Sequence, residues 1–412
     1  MQELSKKKKA SFYLLLAIII VLVAETLGLL VISLRSGELV LPWNLYRNVN
    51  QRYWKKISSH CGFDTVIVPH PYLGYVYGHQ KKCHLGPNAL GFQSKDYPKR
   101  RDPLFYDILV LGGSTAELLA SIKTESGQYF FEEYLNRNFI SPTQKPFRVF
   151  SAATGGYKHP NQLIAYLMFG EFADAIFSIE GFNEHFVYKE GYKLERPDAA
   201  YYQLSPVFEE PNLTELAVKV VKQRIQVTIS NVFPLKYSST LFLMQQLFYS
   251  EDTLTEKLNH KMKIENGFRF EQSISKEEGL EYNLNRHLEY LQQINRLAKK
   301  RKTEFIAFIQ PVPVLYKRLT SIEKQQLTIK GYEDIYQQMT EALVSSATEN
   351  ELEIVSLLKI LEQHPERYYI DHIHFNFHYP LPEGVQDGQL LLAKNLAKSF
   401  LSKWGFQRRS SK

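Results

Sequence analysis

Short apolar segments alternate with helical patterns through most of the chain after residue 106. A short apolar run bounded by turn residues fits a buried strand, and apolar residues that recur every three or four positions fit a helix. The predicted strands cover residues 107–111, 147–151, 175–179, 304–309 and 352–356, and the predicted helices cover residues 125–138, 160–172, 282–300 and 331–346. This alternation favours a parallel sheet covered by helices on both faces.

A long insertion separates the third predicted strand from the fourth. Residues 188–281 far exceed an ordinary connection in an α/β fold, and helical patterns cover residues 213–229 and 239–259 within them. We predict that the insertion forms a helical cap over the site. The main domain is then expected to consist of residues 105–187 and 282–405.

The amino terminus has the character of a membrane anchor. Lysines occupy positions 6–9, and residues 12–33 form an apolar stretch in which Glu25 is the most polar interruption. That length spans a bilayer as a helix and exceeds the apolar core of a cleavable signal peptide. We predict an uncleaved signal anchor over residues 11–34, in which Glu25 faces a partner helix or lies away from the bilayer centre.

The distribution of lysines sets the expected orientation of this anchor. Basic residues favour the cytoplasmic side of a membrane, so residues 1–10 are expected to form a cytoplasmic basic tail and the rest of the chain a periplasmic or extracellular domain. The formal net charge is +7. Without the four lysines at positions 6–9 it falls to +3, which is too small to indicate a nucleic-acid partner.

Residues 35–104 lack sustained periodicity and contain both cysteines of the chain, Cys61 and Cys83. We expect this region to form a stalk and an irregular lobe before the main domain. In an oxidising compartment the two cysteines could form one disulfide. The alternative is a pair of unrelated free thiols.

A turn of two glycines and two hydroxyl residues, Gly112 to Thr115, follows the first predicted strand and precedes a helical segment. Backbone N–H groups converge on anions at the carboxyl end of a parallel strand and the amino end of a helix. Ser114 is therefore well placed to act as a nucleophile. The alternative is that the turn only connects the two elements, with Ser114 or Thr115 as the N-cap of the helix.

Glycines or polar residues also follow three later strands. Gly155 and Gly156 follow the second, Asn183 and Glu184 follow the third, and residues 371–374 (Asp-His-Ile-His) follow the fifth after a short helix and loop. The carboxyl ends of parallel strands form the ligand crevice of such a sheet. A hydroxyl, an imidazole, a carboxylate and donors for an oxyanion, which acyl transfer requires, are therefore expected at one edge.

In this order, the four segments resemble the sequence blocks of the SGNH (GDSL-like) hydrolases, as a membrane-anchored variant, over about residues 107–401. The resemblance implies a flavodoxin-like, three-layer α/β/α sandwich with a five-stranded parallel sheet. It also implies a catalytic triad of Ser114, His374 and Asp371. The implied oxyanion hole combines the N–H groups of Ser114 and Gly156 with the side-chain amide of Asn183.

Three positions depart from the pattern of that family. Gly113 stands where the family has aspartate, Glu184 stands where it has a second aspartate, and residues 151–153 are Ser-Ala-Ala where Asn-Ala-Gly is common. None of these changes removes a group of the implied triad. They leave the class of substrate open.

The sequence is therefore interpreted as a membrane-anchored serine esterase that acts on an O-acylated polysaccharide or lipid of the cell envelope, without a cofactor or metal. Two alternatives share the fold, namely an O-acetyltransferase and a catalytically inactive scaffold that binds a glycan. A third alternative is a metal site formed by Asp371, His372, His374 and His378. Their spacing matches none of the usual zinc patterns.

Overall fold

The computed structural model describes residues 6–36, 39–45, 67–78, 87–124, 126–189, 193–195, 235–248, 276–327, 331–371, 373–375, 387–401 and 404–409. The chain divides into two compact units. One consists of Met1–Gly62 and Pro211–Phe268, and the other of Phe63–Glu210 and Arg269–Lys412.

Helices and strands follow one another along the described part of the chain. The first half contains α1 (Lys6–Ser36), β1 (Ile67–His70), β2 (Gly74–Tyr77), β3 (Tyr106–Gly112), α2 (Ser114–Ser121), α3 (Phe130–Asn138), β4 (Phe139–Ile140), β5 (Phe147–Ser151), α4 (Asn161–Phe169), β6 (Ala175–Glu180) and α5 (Phe182–Lys189). The second half contains α6 (Ser239–Phe248), α7 (Lys276–Arg301), β7 (Glu304–Ile309), α8 (Ser321–Gln326), α9 (Glu333–Glu349), β8 (Ile354–Ser356), α10 (Gly388–Leu401) and β9 (Gln407–Arg408). Short 3-10 helices occur at Pro42–Asn44, Gly170–Phe172, Leu235–Tyr237 and Leu358–Leu361.

The larger unit is built on a parallel sheet of five strands in the order β5-β3-β6-β7-β8. In chain order of these strands this is 2-1-3-4-5, the flavodoxin-like arrangement. The predicted fold class is therefore confirmed. Because the order reverses beside β3, the crevice for a ligand lies at the carboxyl ends of β3 and its neighbours.

Helices cover both faces of this sheet. Every residue of β3 is buried, and the alternation of side chains along a strand sends Ile108 and Val110 to one face and Leu109 and Leu111 to the other. On the first face the apolar core includes side chains of α2, α3 and α10. Helices α4, α7 and α9 pack over the opposite face. The strands are predominantly apolar because neither face of the sheet meets water.

The smaller unit contains α1 and α6, which pack against each other. Among the described residues, one helix is long and apolar enough to cross a membrane, with a 24-residue span at Ser11–Leu34. Glu25 of this span accepts hydrogen bonds from Ser238 Oγ at 2.6 Å and from the backbone N–H of Ser239 at 2.5 Å. The carboxyl group therefore satisfies donors at the amino end of α6, as a side-chain cap does.

The helical patterns of the insertion are described in part. The pattern at residues 239–259 corresponds to α6, which ends at Phe248, whereas residues 213–229 lie outside the described residues. A Cβ at Gly28 of α1 would lie 2.4 Å from Ser239 Oγ. The absence of a side chain at Gly28 thus permits the close approach of α6 to α1. The expectation that the insertion caps the site stays a prediction.

The predicted helix at residues 125–138 begins later than expected. Thr124 N–H bonds to Gln128 O at 2.8 Å, Lys123 pairs with Tyr129, and Gly127 has a φ of +81°, so that residues 126–129 turn back toward residues 123 and 124. The helix starts only at Phe130. A glycine in the left-handed region ends the local helical geometry, which the apolar pattern alone does not reveal.

The region predicted to be an irregular lobe contains an antiparallel hairpin of β1 and β2. Tyr75 of this hairpin is buried, and its hydroxyl donates to Gly155 O at 2.7 Å. The hairpin therefore contacts the turn that carries Gly155 and Gly156 of the predicted site. Cys61 and Cys83 lie outside the described residues, and their disulfide stays a prediction.

Candidate active site

Ser114 lies at the tight turn from β3 to α2. Gly112 has a φ of +137°, which residues with a side chain rarely adopt. A Cβ at this position would lie 2.5 Å from the carbonyl oxygen of Ile179 in β6. Glycine is therefore required where the two strands approach each other, and the turn presents Ser114 at the carboxyl edge of the sheet.

No side chain caps α2. Gly113 is the N-cap residue, and the first backbone bond of the helix runs from Glu117 N–H to Gly113 O at 3.0 Å. The N–H of Ser114 precedes this bond and is one of the donors that a helix leaves unsatisfied at its start. The interpretation of Ser114 or Thr115 as an N-cap is therefore wrong, and the hydroxyl of Ser114 is used elsewhere.

Ser114, His374 and Asp371 form a continuous chain of hydrogen bonds. Ser114 Oγ lies 2.7 Å from His374 Nε2, and His374 Nδ1 lies 2.7 Å from Asp371 Oδ2. The side chains of His374 and Asp371 are 15% and 17% exposed, so the centre is neither sealed nor fully hydrated. A hydroxyl, an imidazole and a carboxylate in this order have the geometry of a serine hydrolase triad.

The spacing of Asp371 and His374 follows from a local turn. Asp371 Oδ1 accepts the backbone N–H of Ile373 at 2.8 Å and that of His374 at 2.7 Å. Ile370 N–H bonds to His374 O at 2.8 Å across the same turn. One carboxylate oxygen thus holds the backbone and the other holds the imidazole, which fixes the ring relative to Ser114.

A buried ion pair supports the approach to this turn. Glu323 Oε1 accepts the backbone N–H groups of Tyr368 at 3.1 Å and Tyr369 at 3.2 Å. Its other oxygen pairs with Lys317 Nζ at 2.7 Å, and both side chains are almost fully buried. A buried charge pair with additional hydrogen bonds is costly to break. It therefore holds the segment that leads to Asp371 in place.

Neighbouring carboxylates alter the basicity of His374. Burial lowers the pKa of its imidazole, but the charge of Asp371, its hydrogen bond and the charge of Glu117 raise it, and the resulting pKa lies above the ordinary value. A histidine that acts as a base works only when it is neutral. Because this pKa is raised, His374 becomes protonated at a higher pH as the pH falls, and it stops acting as a base there.

Asn183 lies on α5, one residue beyond the start of the helix that follows β6. Its Nδ2 donates to Tyr157 O at 2.8 Å, which leaves the second hydrogen of the amide for another acceptor. A Cβ at Gly113 would lie 2.1 Å from this Nδ2. A side chain at position 113 would therefore displace the amide of Asn183, which lies directly beside the residue before Ser114.

Gly156 lies in the turn after β5, with a φ of +84°. Among the described residues its N–H has no backbone acceptor. The preceding N–H, of Gly155, donates to Glu117 Oε2 at 2.8 Å. The turn that carries Gly156 is therefore tied to the helix that carries Ser114.

Glu117 is the residue of this site that the sequence did not reveal. It lies one turn after Ser114 and is 5% exposed, and both of its carboxylate oxygens lie 3.0 Å from the donating hydroxyl of Tyr77. Burial raises the pKa of Glu117 to about 7, and the hydrogen bonds from Tyr77 and Gly155 and the charge of His374 oppose this effect. Its position i+3 from a predicted nucleophile on a helix is the signal that could have identified it.

Glu184, the other departure from the family pattern, has a structural partner. Its Oε2 accepts the N–H of Gly181 at 2.9 Å, and its Oε1 accepts from Gln162 Nε2 at 3.3 Å. The carboxylate therefore closes the turn that begins the helix of Asn183. Glutamate in this place keeps the amide-bearing turn supported.

The structure brings the predicted residues Ser114, His374 and Asp371 into direct contact and places Asn183 beside Gly113. Two of the four residues of the alternative metal site, Asp371 and His374, are hydrogen-bonded to each other. The remaining members, His372 and His378, lie outside the described residues.

No family model matches the sequence, and no curated protein matches it. Solved structures to which the chain is similar include an acetyl xylan esterase, at 10% identity over 72% of this chain and 98% of that chain, with a TM-score of 0.35. An acetylxylan esterase from Geobacillus stearothermophilus shares 11% identity over 74% of this chain and 97% of that chain, with a TM-score of 0.36. A protein from Parabacteroides merdae described as a GDSL-like lipase shares 10% identity over 73% of this chain and 96% of that chain, with a TM-score of 0.35. At this similarity, an inference of function depends on the site itself.

Proposed function

We propose that the protein is a carboxylic ester hydrolase with Ser114 as nucleophile, His374 as general base and acid, and Asp371 as the group that orients His374. The observation that carries this proposal is the pair of 2.7 Å hydrogen bonds that joins the three side chains in series. A hydroxyl is a weak nucleophile at neutral pH unless a base removes its proton. The imidazole beside Ser114 is positioned to do so.

The reaction divides into two halves. Ser114 Oγ attacks the carbonyl carbon of the ester while His374 Nε2 takes its proton, and His374 then returns that proton to the leaving alkoxide. Water attacks the resulting acyl-serine with His374 again as base, which releases the carboxylic acid and restores Ser114. In both halves Asp371 keeps the Nδ1 proton in place and stabilises the imidazolium.

The negative charge that develops on the carbonyl oxygen requires donors. Ser114 N–H at the start of α2, Gly156 N–H and the second amide hydrogen of Asn183 are the proposed oxyanion hole. The proximity of Asn183 Nδ2 to Gly113 supports this assignment. Such donors stabilise the transition state more than the ground state because they are oriented before the reaction begins.

The proposed substrate class follows from the proposed cellular location of the protein. The 24-residue apolar span supports a signal anchor, and the lysines before it favour a cytoplasmic amino terminus with the catalytic domain in the periplasm or outside the cell. A tethered ester hydrolase in that position meets O-acylated envelope polysaccharides and lipids. We therefore propose an esterase that removes acyl groups from one of these substrates.

Product analysis of the full chain in detergent tests the reaction class. Short-chain esters, O-acetylated glycans and acylated lipids are supplied with and without an unacylated glycan, and acid release and acyl transfer are measured. One acid released per ester consumed is the expected result. Transfer of the acyl group to the glycan with little acid released would favour the O-acetyltransferase instead. Turnover of no substrate would favour the glycan-binding scaffold.

Replacement of Asn183 by alanine is expected to lower kcat by about 10²–10³, the usual cost of one oxyanion donor, with KM little changed. The amide also bonds to Tyr157 O, so the thermal midpoint is measured to separate a catalytic loss from a displaced turn. The exposed residue Asn138 provides the control substitution Asn138→Ala, which should leave kcat unchanged. A loss below threefold in Asn183→Ala would contradict the assignment.

Glu117→Gln is expected to lower kcat by about tenfold, because the amide has one acceptor oxygen where the carboxylate receives Tyr77 and Gly155 through two. The charge of Glu117 raises the pKa of His374, so its removal should move the acidic limb of the pH–kcat profile to lower pH. The exposed Glu171→Gln serves as control. An unchanged profile would show that Glu117 supports the turn without acting on His374.

A further inference from the structure

We propose that the larger unit binds one divalent zinc ion through His159, Glu180 and His287. This site is separate from the triad and does not depend on the proposed esterase function. His159 lies between β5 and α4, Glu180 ends β6, and His287 lies on α7. All three side chains are buried, with exposures of 0%, 1% and 0%.

The distances between the three side chains fit a zinc ion. Glu180 Oε2 lies 3.3 Å from His159 Nε2 and 3.2 Å from His287 Nε2, and one ligand atom from each residue lies within 4.8 Å of the others. Zinc binds imidazole nitrogen and carboxylate oxygen at about 2.0–2.2 Å in a tetrahedron, which separates neighbouring ligand atoms by roughly 3.3 Å. The two separations from Glu180 Oε2 are those of neighbouring ligands of one ion, and the two histidine nitrogens lie within 4.8 Å of each other.

The hydrogen bonds of His287 indicate which of its nitrogens is available. Tyr188 has one hydroxyl hydrogen, which it donates to Asn283 O at 3.1 Å. His287 Nδ1, 3.0 Å from the same hydroxyl oxygen, must then be the donor of that second bond. In a neutral imidazole the proton on Nδ1 leaves Nε2 with a lone pair. In that form the lone pair would face Glu180 Oε2 at 3.2 Å, and a cation between the two atoms would stabilise the arrangement.

His159 supplies an independent indication. The side chain is fully buried, its Nδ1 has no hydrogen-bond partner among the described residues, and its Nε2 lies 3.3 Å from Glu180 Oε2 without the alignment of a hydrogen bond. Its ring stacks on Tyr290 with centroids 5.4 Å apart, and it is the Nε2 atom that faces Glu180. Buried polar atoms are nearly always paired. A metal ion between Nε2 and Glu180 Oε2 would replace this poorly aligned contact with a bond to each atom.

The surrounding charges balance with a divalent ion. Glu184 is a second buried carboxylate, linked to Glu180 through Gln162 and Ser178: Gln162 donates to Glu184, and the hydroxyl of Ser178 contacts Gln162 Oε1 and Glu180 Oε1. Glu180 and Glu184 carry a formal charge of −2 when both are ionised, and burial and the charge of Glu180 raise the pKa of Glu184, an effect that a bound cation would oppose. Buried charges require compensation, and a divalent ion supplies it. Three protein ligands leave one coordination position for water.

The location suggests what the ion does. Glu180 directly precedes Gly181, and the turn there leads to Asn183 at the start of α5. A metal that joins the end of β6 to α7 and to the segment before α4 would cross-link three elements beneath that turn. Three protein ligands are more common in catalytic zinc sites, but this site is fully buried and separate from the triad, so we assign the ion a structural role.

Metal analysis of the full chain tests the proposal. The protein is purified in detergent on an affinity tag without histidine, and its zinc content is measured by inductively coupled plasma mass spectrometry. About one zinc per chain is expected. Removal of the ion with dipicolinate should lower the thermal midpoint, and stoichiometric Zn²⁺ should restore it. Co²⁺ in its place should give the visible absorption of a four-coordinate site.

Variants assign the ion to these residues. His287→Gln and His159→Gln should each abolish stoichiometric zinc, whereas His364→Gln, at a histidine 39% exposed, should retain it. The titration of the wild-type chain with Zn²⁺ decides the matter even where a variant fails to fold. Zinc below one-tenth per chain, together with no change of the thermal midpoint on addition of Zn²⁺, would overturn the proposal in favour of protonated imidazoles. Retention of zinc in both folded variants would overturn it as well.

Discussion

Ser114→Ala is expected to lower kcat for ester hydrolysis by about a millionfold, to the level that binding and oxyanion donors alone provide. The hydroxyl 2.7 Å from His374 Nε2 is the proposed nucleophile, and alanine removes it without changing the turn or the start of α2. Initial rates with a short-chain ester, measured on the full chain in detergent, report this loss.

The control for this substitution comes from the same helix. Ser121 is the last residue of α2, so Ser121→Ala makes an identical chemical change away from His374 and should retain full activity. The thermal midpoint of Ser114→Ala should stay near that of the wild type because the hydroxyl does not cap the helix. A Ser114→Ala protein within tenfold of the wild-type rate would exclude Ser114 as the nucleophile.

Asp371→Asn is expected to lower kcat by about 10⁴. The amide oxygen can still accept the N–H groups of Ile373 and His374, so the turn is retained. The amide nitrogen, however, would donate to Nδ1 and leave the ring proton on Nε2. His374 could then no longer accept the proton of Ser114.

The pH dependence of Asp371→Asn gives a second readout. Although burial lowers the pKa of His374, the charge and hydrogen bond of Asp371 raise it above the ordinary value. Loss of the carboxylate should therefore lower this pKa and move the acidic limb of the residual activity to lower pH. The exposed Asp334→Asn on α9 is the matched control. A wild-type rate and profile in Asp371→Asn would contradict the orienting role of Asp371.

The sequence predicted the sheet well because its strands are buried on both faces. Short continuous apolar runs such as residues 108–111 and 305–309, which alternate with helical patterns, fit buried parallel strands better than other elements. The helix predicted from residue 125 failed at its start for a local reason, since the turn around Gly127 opposes the apolar pattern. Segments that obey one strong pattern were thus predictable, and segments in which two local preferences compete were not.

The residues of the site that directly follow strands, or that form a short local motif, could be predicted from the sequence. The turn of Ser114 and the Asp371–His374 pair lie at strand ends or in a short local motif, so their chemistry is visible in the sequence. Glu117 is held in the site by a hydrogen bond from Tyr77, which lies in a hairpin that the sequence did not predict. Lys317 and Glu323 likewise look like exposed charged residues in the sequence, whereas in the structure they form a buried ion pair.

The histidine cluster illustrates the same limit. His159 and His287 lie far apart in the sequence, on elements that meet only after the sheet has formed, and neither belongs to a short motif for a metal ion. Glu25 behaves similarly in the smaller unit. Its cost in an apolar helix was apparent from the sequence, but its partners, Ser238 and Ser239, were not.

Covalent labelling with a fluorophosphonate, followed by mass spectrometry of intact protein and peptides, tests the nucleophile most directly. Such a probe reacts with a serine that a neighbouring base activates. One adduct per chain is expected, on the peptide that contains Ser114, with no adduct in Ser114→Ala and slower labelling in Asp371→Asn. An adduct on a different residue, or an unmodified Ser114 after exposure to a series of such probes, would contradict the proposed triad.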